Sequence, residues 1–113
     1  MRHVCARKSP GWTVRPPELM LASLATCAGF YAAQYLRTRS LPTDGLDVRV
    51  NADKLKNPAR LGDFEISVSL PELEERHRDG VARAVKSCLI HNTLLNAPQI
   101  QIELHTKDVH AGV

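Results

Sequence analysis

The sequence predicts an α+β domain, with an antiparallel sheet packed against a long buried central helix and a second helix that carries a cysteine. Three observations predict it. Residues 19–36 form one uncharged apolar stretch. Segments 46–51, 64–70 and 100–104 alternate apolar and polar side chains, the period of a half-buried strand. Only two helical stretches are present, too few to cover both faces of a parallel sheet. The predicted order is helix, strand, strand, helix, strand.

Each element has local signals. Residues 1–15 have no clear period, are basic through Arg2, Arg7, Lys8 and Arg15, and read as a short arm or strand. Pro16-Pro17-Glu18 starts a helix: proline loses nothing in a first turn, and Glu18 complements the positive helix end. The helix should run to about Arg39, with Arg37 and Arg39 at its negative end. Its apolar residues go most of the way round, so other elements should enclose it. Gly29 within it suggests close packing of a neighbour.

Leu41-Pro42-Thr43-Asp44-Gly45 is turn chemistry. Leu46, Val48 and Val50 then share one strand face, and Phe64, Ile66, Val68 and Leu70 share the next. Asn57-Pro58 and Gly62 mark a longish loop, so the pair suits an antiparallel hairpin. Pro71, with Glu72, Glu74 and Glu75, opens the second helix. Val81, Ala84, Val85, Cys88 and Leu89 form its apolar stripe. Asn96-Ala97-Pro98 ends it, and Ile100, Ile102 and Leu104 form a third strand.

Composition narrows the class. A chain of 113 residues makes one domain, 1–113, and 43% hydrophobic residues are enough for a single core. The charge excess is only +3 and is spread along the chain with 4% aromatics, which argues against a nucleic-acid partner. The 19–36 stretch is diluted by alanine and carries Ser23, Thr26 and Gln34, so a buried helix is expected rather than a membrane span. Leu24-Ala25-Thr26-Cys27 has the look of a lipid-attachment box. The apolar run continues past Cys27, however, and Pro16-Pro17-Glu18 interrupts its start. The expected location is the cytoplasm, with no membrane partner.

Three cysteines, Cys5, Cys27 and Cys88, are too few and too scattered for a secreted disulfide framework. Cys27 and Cys88 lie on predicted helices and face inward. By composition alone they read as small buried hydrophobes. Nucleophilic use would require thiolate, only about 3% of an ordinary thiol at neutral pH. Cys27 is too far into its helix for the dipole to activate it, so a nearby arginine, such as Arg15, or another donor must do so. His91 follows Cys88 by one turn and could tune it or bind metal with it. A zinc site needs two further ligands and no CxxC is present, so neither metal nor cofactor is expected. There is no glycine-rich phosphate loop and no serine nucleophile elbow.

Pro17-Glu18-Leu19-Met20-Leu21-Ala22-Ser23-Leu24-Ala25-Thr26-Cys27 resembles the first signature of the OsmC/Ohr family of organic hydroperoxide reductases. Val85-Lys86-Ser87-Cys88-Leu89-Ile90-His91-Asn92-Thr93-Leu94 resembles the second. With the strands between them, the resemblance covers residues 16–105. It implies an OsmC-like α+β fold, an intertwined homodimer and thiol peroxidase chemistry at the dimer interface. Cys27 matches the peroxidatic cysteine and Cys88 the resolving one. The resemblance implies a Cys27 sulfenic acid, a Cys27–Cys88 disulfide, and a dithiol or lipoyl-type reductant. Leu24, Phe30 and Tyr31 would suit an organic hydroperoxide substrate.

Three features depart from the family pattern. Pro17 occupies the place of the family's catalytic glutamate, and Leu89 replaces a common proline after the second cysteine. Only 26 residues precede Cys27, fewer than the usual N-terminal strands need, so no arginine matches the family's catalytic one. These departures keep an alternative open: a non-catalytic OsmC-like domain that binds a small apolar ligand or a protein partner.

Overall fold

The computed structural model of the chain describes residues 15–107 and, as backbone, residues 3–6. The elements are β1 (His3–Ala6), α1 (Pro16–Thr38), β2 (Asp47–Leu55), β3 (Arg60–Ser69), a 3₁₀ turn (Glu75–His77), α2 (Arg78–Lys86) and α3 (Leu89–Leu95). The three strands form one antiparallel sheet in the order β1-β2-β3. The helices pack on one face of it, as the α+β reading expects.

α1 begins with prolines in its first turn and Glu18 beside the positive end, as expected. It ends in a Schellman arrangement. Leu41 N–H donates to Leu36 C=O at 2.8 Å and Ser40 N–H to Arg37 C=O at 3.1 Å. Ser40 takes the left-handed φ of 55° that this ending requires. α1 is long and apolar enough to cross a membrane by length and composition. Its apolar side chains here serve the core: Leu21, Leu24, Ala28, Ala32, Ala33 and Leu36 are buried. The expectation that α1 is enclosed all round is corrected, because Leu19, Met20 and Phe30 stay exposed along one side.

β2 and β3 are longer than the alternation indicated. They pair from Asp47↔Ser69 to Leu55↔Arg60, with a register shift between Asn51 and Asp53. The connection is the short turn 56–59 rather than a longish loop. The sequence obscures this because Asp53, Lys54 and Asp63 are polar strand residues beyond the half-buried stretch. Val48, Val50 and Ala52, with Phe64, Ile66 and Val68, face the helices; Arg49, Glu65 and Ser67 face away.

The core has two parts along α1. Leu21, Leu24, Val50, Ala52 and Cys88 form one, and Ala28, Ala32, Leu36, Val81 and Val85 the other. The close approach anticipated at Gly29 is an ordinary one, since a Cβ there would lie 3.6 Å from Val48 Cγ2.

The second helix is the main correction. Instead of one helix opening at Pro71, the chain makes a 3₁₀ turn, then α2, and breaks before Cys88, which is the residue preceding α3. Glu72 therefore lies ahead of any helix. The break follows from packing. At about 100° per residue, one straight helix would turn Ile90 and Leu94 roughly 140° and 180° from Val85. Breaking the helix lets Val81 and Val85 serve one core cluster while Ile90 and Leu94 pack on the other. Leu89, assigned to the apolar stripe, is exposed as a result.

The third strand also needs correction. Residues 97–106 form no strand among the described residues, and Ile100, Ile102 and Leu104 are 80%, 71% and 60% exposed. A strand needs a hydrogen-bonding neighbour, and among the described residues this arm has none. The described chain measures 62 × 29 × 29 Å.

α2 approaches α1 closely at Gly80, where a Cβ would overlap the Tyr35 ring. Tyr35 also carries a hydrogen bond between its hydroxyl and His77 Nδ1 at 3.0 Å, and the Arg39 guanidinium lies 3.7 Å above its ring. Helix propensity alone favours alanine over glycine by about 1 kcal/mol. Overpacking against a fixed ring costs about 1–3 kcal/mol. Gly80→Ala should therefore destabilise the fold, measured as a lower urea midpoint; a rise in the midpoint would show that Tyr35 moves aside freely.

Candidate active site

The two cysteines come together from α1 and from the junction of α2 and α3. Cys27 lies on α1, one turn before Tyr31 and one turn after Ser23, with its side chain half-buried. Cys88 sits at the break between α2 and α3 and is 0% exposed, locked among Leu21, Leu24, Val50 and Ala52. Their thiols are within hydrogen-bonding reach of each other. Both are free thiols. Sequence reading put Cys88 inside a helix, where backbone N–H groups are all engaged. The break frees the N–H groups of Leu89, Ile90 and His91, and these turn toward the sulfurs.

The electrostatics separate the two thiols. Burial pushes Cys27 up, but the hydrogen bond from Cys88 and the N–H groups of Ile90 and Leu89 outweigh it, leaving Cys27 below the ordinary thiol value. Burial pushes Cys88 up as well. Donating to Cys27 and lying beside its negative charge raise it further, against the opposing pull of the His91 and Ile90 N–H groups. Cys27 is thus the readier thiolate and Cys88 the retained thiol, a division of labour that suits a nucleophile and its resolving partner.

The other candidates fall elsewhere. Arg15 is exposed and lies 3.9 Å from Glu18, so it serves a surface pair rather than Cys27. Arg2 and Arg7 lie outside the described residues, as does the Cys5 side chain; the Cys5 backbone pairs with Asn51. His91 contributes its backbone N–H to Cys88, while its ring Nδ1 lies 3.4 Å from Asn92 Oδ1. No group of three or more metal-ligating side chains occurs among the described residues. Thr93 Oγ1 donates to the Leu89 carbonyl and Asn96 Nδ2 to the Asn92 carbonyl, each at 2.9 Å. Sequence reasoning missed the backbone N–H donors. The signal for them was a change of phase in the apolar stripe, from Val81, Val85 and Cys88 to Ile90 and Leu94.

Cys27 opens onto a shallow recess lined by Leu19, Ala22, Phe30, Tyr31 and Ile90, with Ser23 and Thr26 on its edge. Phe30 and Tyr31 meet edge to face, with ring centroids 5.4 Å apart. Thr26 turns its hydroxyl back to the Ala22 carbonyl at 2.8 Å, which leaves the recess mainly apolar. A separate, larger groove of about 940 Å³ lies between β3 and the α2–α3 side, lined by Phe64, Ile66, Val68, Val81, Val85 and Leu94 among others.

The thiol pair has a defined pH behaviour. The folded value of Cys27 is lowered, so its contribution to stability is present above the ordinary thiol value and is lost as pH falls through the folded value. That of Cys88 is raised, so its contribution is present below the ordinary value and is lost as pH rises through the folded value. Cys88→Ala removes one donor from Cys27. Thiolate absorbance should then show Cys27 titrating at higher pH, and iodoacetamide should alkylate it more slowly at neutral pH. Cys88→Ser, which keeps a donor, should shift it less. An unchanged Cys27 titration in Cys88→Ala would show that the thiol contact does not act on it.

Known proteins share this fold. The chain resembles the solved structure of an OsmC-like hydroperoxide resistance protein from Jannaschia sp. CCS1, with TM-score 0.70 and 23% identity, over 85% of this chain and 69% of that one. It also resembles a proposed osmotic stress induced and detoxification response protein from Psychrobacter arcticus 273-4, with TM-score 0.66 and 19% identity, over 74% of this chain and 62% of that one. The chain thus spans less than two thirds of the Psychrobacter protein. No curated protein matches it. The family model for OsmC-like proteins matches residues 9–103, which includes both cysteines and every element from α1 to α3. The chain belongs to the OsmC-like protein family.

Proposed function

We propose that this chain is a thiol-dependent peroxidase that reduces organic hydroperoxides. The observation that carries the reading is the pairing of a half-buried, lowered-pKa Cys27 with a buried Cys88 in hydrogen-bonding reach. Cys27 thiolate attacks the outer peroxide oxygen and the O–O bond breaks. The alkoxide takes a proton and leaves as the alcohol, and Cys27 becomes a sulfenic acid. Cys88 sulfur then attacks the Cys27 sulfur. Hydroxide leaves, takes the Cys88 proton and departs as water, and a Cys27–Cys88 disulfide remains. A dithiol or lipoyl-type reductant returns both thiols. The apolar recess favours an alkyl or aryl group on the peroxide over hydrogen peroxide itself. The cycle requires reduced thiols, and a reducing compartment such as the cytoplasm suits it. The names of the two similar solved proteins, one of hydroperoxide resistance and one of a detoxification response, support this reading.

We further propose that the working form is a homodimer. The groove of about 940 Å³ and the unpaired arm with Ile100, Ile102 and Leu104 leave apolar surface that a second copy would cover. β3 also has a free edge in the β1-β2-β3 order. The same groove favours one other reading, a non-catalytic domain that holds a small apolar ligand there.

Equimolar cumene hydroperoxide should convert the reduced chain to a form lighter by two hydrogens, with Cys27 joined to Cys88 in peptide maps. Cys27→Ser should abolish both this product and turnover. A Cys27 that stays free while the peroxide is intact would remove the peroxidase reading. Sedimentation should give twice the chain mass for the native protein and the single-chain mass for Ile100→Asp with Ile102→Asp. A monomeric native protein at micromolar concentration would overturn the dimer.

A further inference from the structure

We propose that the reductant of this site attacks the sulfur of Cys27 and that Cys88 is the thiol it expels. The inference rests on the Cys27–Cys88 disulfide of the cycle above and goes past it, to which sulfur accepts the incoming thiolate. In thiol–disulfide exchange the attacking, central and leaving sulfurs lie close to a line, so the nucleophile must arrive opposite the leaving sulfur. Cys27 itself lines the open recess formed by Leu19, Phe30, Tyr31 and Ile90, from which a thiolate reaches its sulfur. Behind Cys88 lies packed core: Cys88 is 0% exposed, and Leu21, Leu24, Val50 and Ala52 around it are 0%, 1%, 0% and 1% exposed.

Electronics point the other way, and magnitudes decide. Cys27 is the more acidic thiol and hence the better leaving group, which would favour attack on Cys88 by about threefold for each pKa unit between them. Reaching Cys88 would require the core around it to open. Such openings are populated at about one molecule in a thousand or fewer. Access therefore outweighs leaving-group quality.

The steps balance. One thiolate of a dithiol attacks Cys27 sulfur, the Cys27–Cys88 bond breaks, and Cys88 leaves with the electron pair and takes up a proton. The second thiol of the same dithiol loses its proton and attacks the reductant's own sulfur in the mixed disulfide. Cys27 departs as thiolate, the dithiol is oxidised to its disulfide, and two electrons have passed to the protein. Cys27 thereby returns in the state that attacks the next peroxide. Cys88 returns as the thiol that hydrogen-bonds to it.

The test uses the full chain with Cys5→Ser, oxidised by diamide so that no peroxide chemistry is needed. The oxidised chain is mixed briefly with 2-mercaptoethanol, quenched in acid, blocked with N-ethylmaleimide under denaturing conditions and mapped by mass spectrometry. The mercaptoethanol adduct is expected on Cys27 and the maleimide on Cys88, in at least about tenfold excess over the reverse. An adduct on Cys88 in equal or greater amount overturns the proposal, as does failure of diamide to form the Cys27–Cys88 disulfide. A chain that gives the Cys27 adduct yet leaves cumene hydroperoxide intact keeps the proposal and loses the peroxidase reading.

Discussion

The contact between Cys27 and Cys88 exists because the chain breaks its helix at Ser87–Cys88. A continuous helix would hold Cys88 with its amides engaged in the helix ladder and would carry Ile90 and Leu94 away from the core. The break lets α2 and α3 address separate parts of the core, and it places free N–H groups of Leu89, Ile90 and His91 toward the two sulfurs. Core packing and thiol activation are therefore set by the same two residues of backbone. A substitution that straightened this segment would lose both together.

α1 is the other half of the arrangement. Its buried line of Leu21, Leu24, Ala28, Ala32 and Leu36 uses small residues where α2 and β2 approach and leucines where space remains. Cys27 sits at the edge of that line. From there it meets Cys88 on its inner side and the apolar recess on its outer side. The exposed Leu19, Met20 and Phe30 explain why the helix looks apolar all round in sequence although only part of it is covered within one chain.

Much of the fold was legible because local signals and burial agree. Pro16-Pro17-Glu18 marks the start of α1, and the alternation at Val48–Val50 and Phe64–Val68 marks the hairpin. Both cysteines were legible as a pair through the resemblance of their flanking motifs, although composition alone read them as core filling. The break before Cys88 was marked only by the change of apolar phase from Val81 and Val85 to Ile90 and Leu94. No glycine or proline stands there, and Val81, Val85 and Cys88 continue a helical period across it. The arm at 100–104 read as a strand because its alternation is real. What alternation cannot say is whether the pairing edge belongs to the same chain.

The source of the Cys27 activation is the point where the structure sharpens the sequence expectation. An arginine or another hydrogen-bond donor was expected; Arg15 is spent on a surface pair with Glu18, and Arg2 and Arg7 lie outside the described residues. A hydrogen bond to a charged acceptor contributes about 1.5–3 kcal/mol. Cys27 receives such bonds from Cys88, Leu89 and Ile90, against the opposing cost of burial. These donors outweigh the cost of burial, and they differ from an arginine in kind. A guanidinium on a long side chain can swing away without unfolding anything. Backbone N–H groups held at a helix break move only if the segment around Cys88 moves, and that segment is anchored by a side chain with no exposed surface. The activation of Cys27 is therefore as rigid as the core itself.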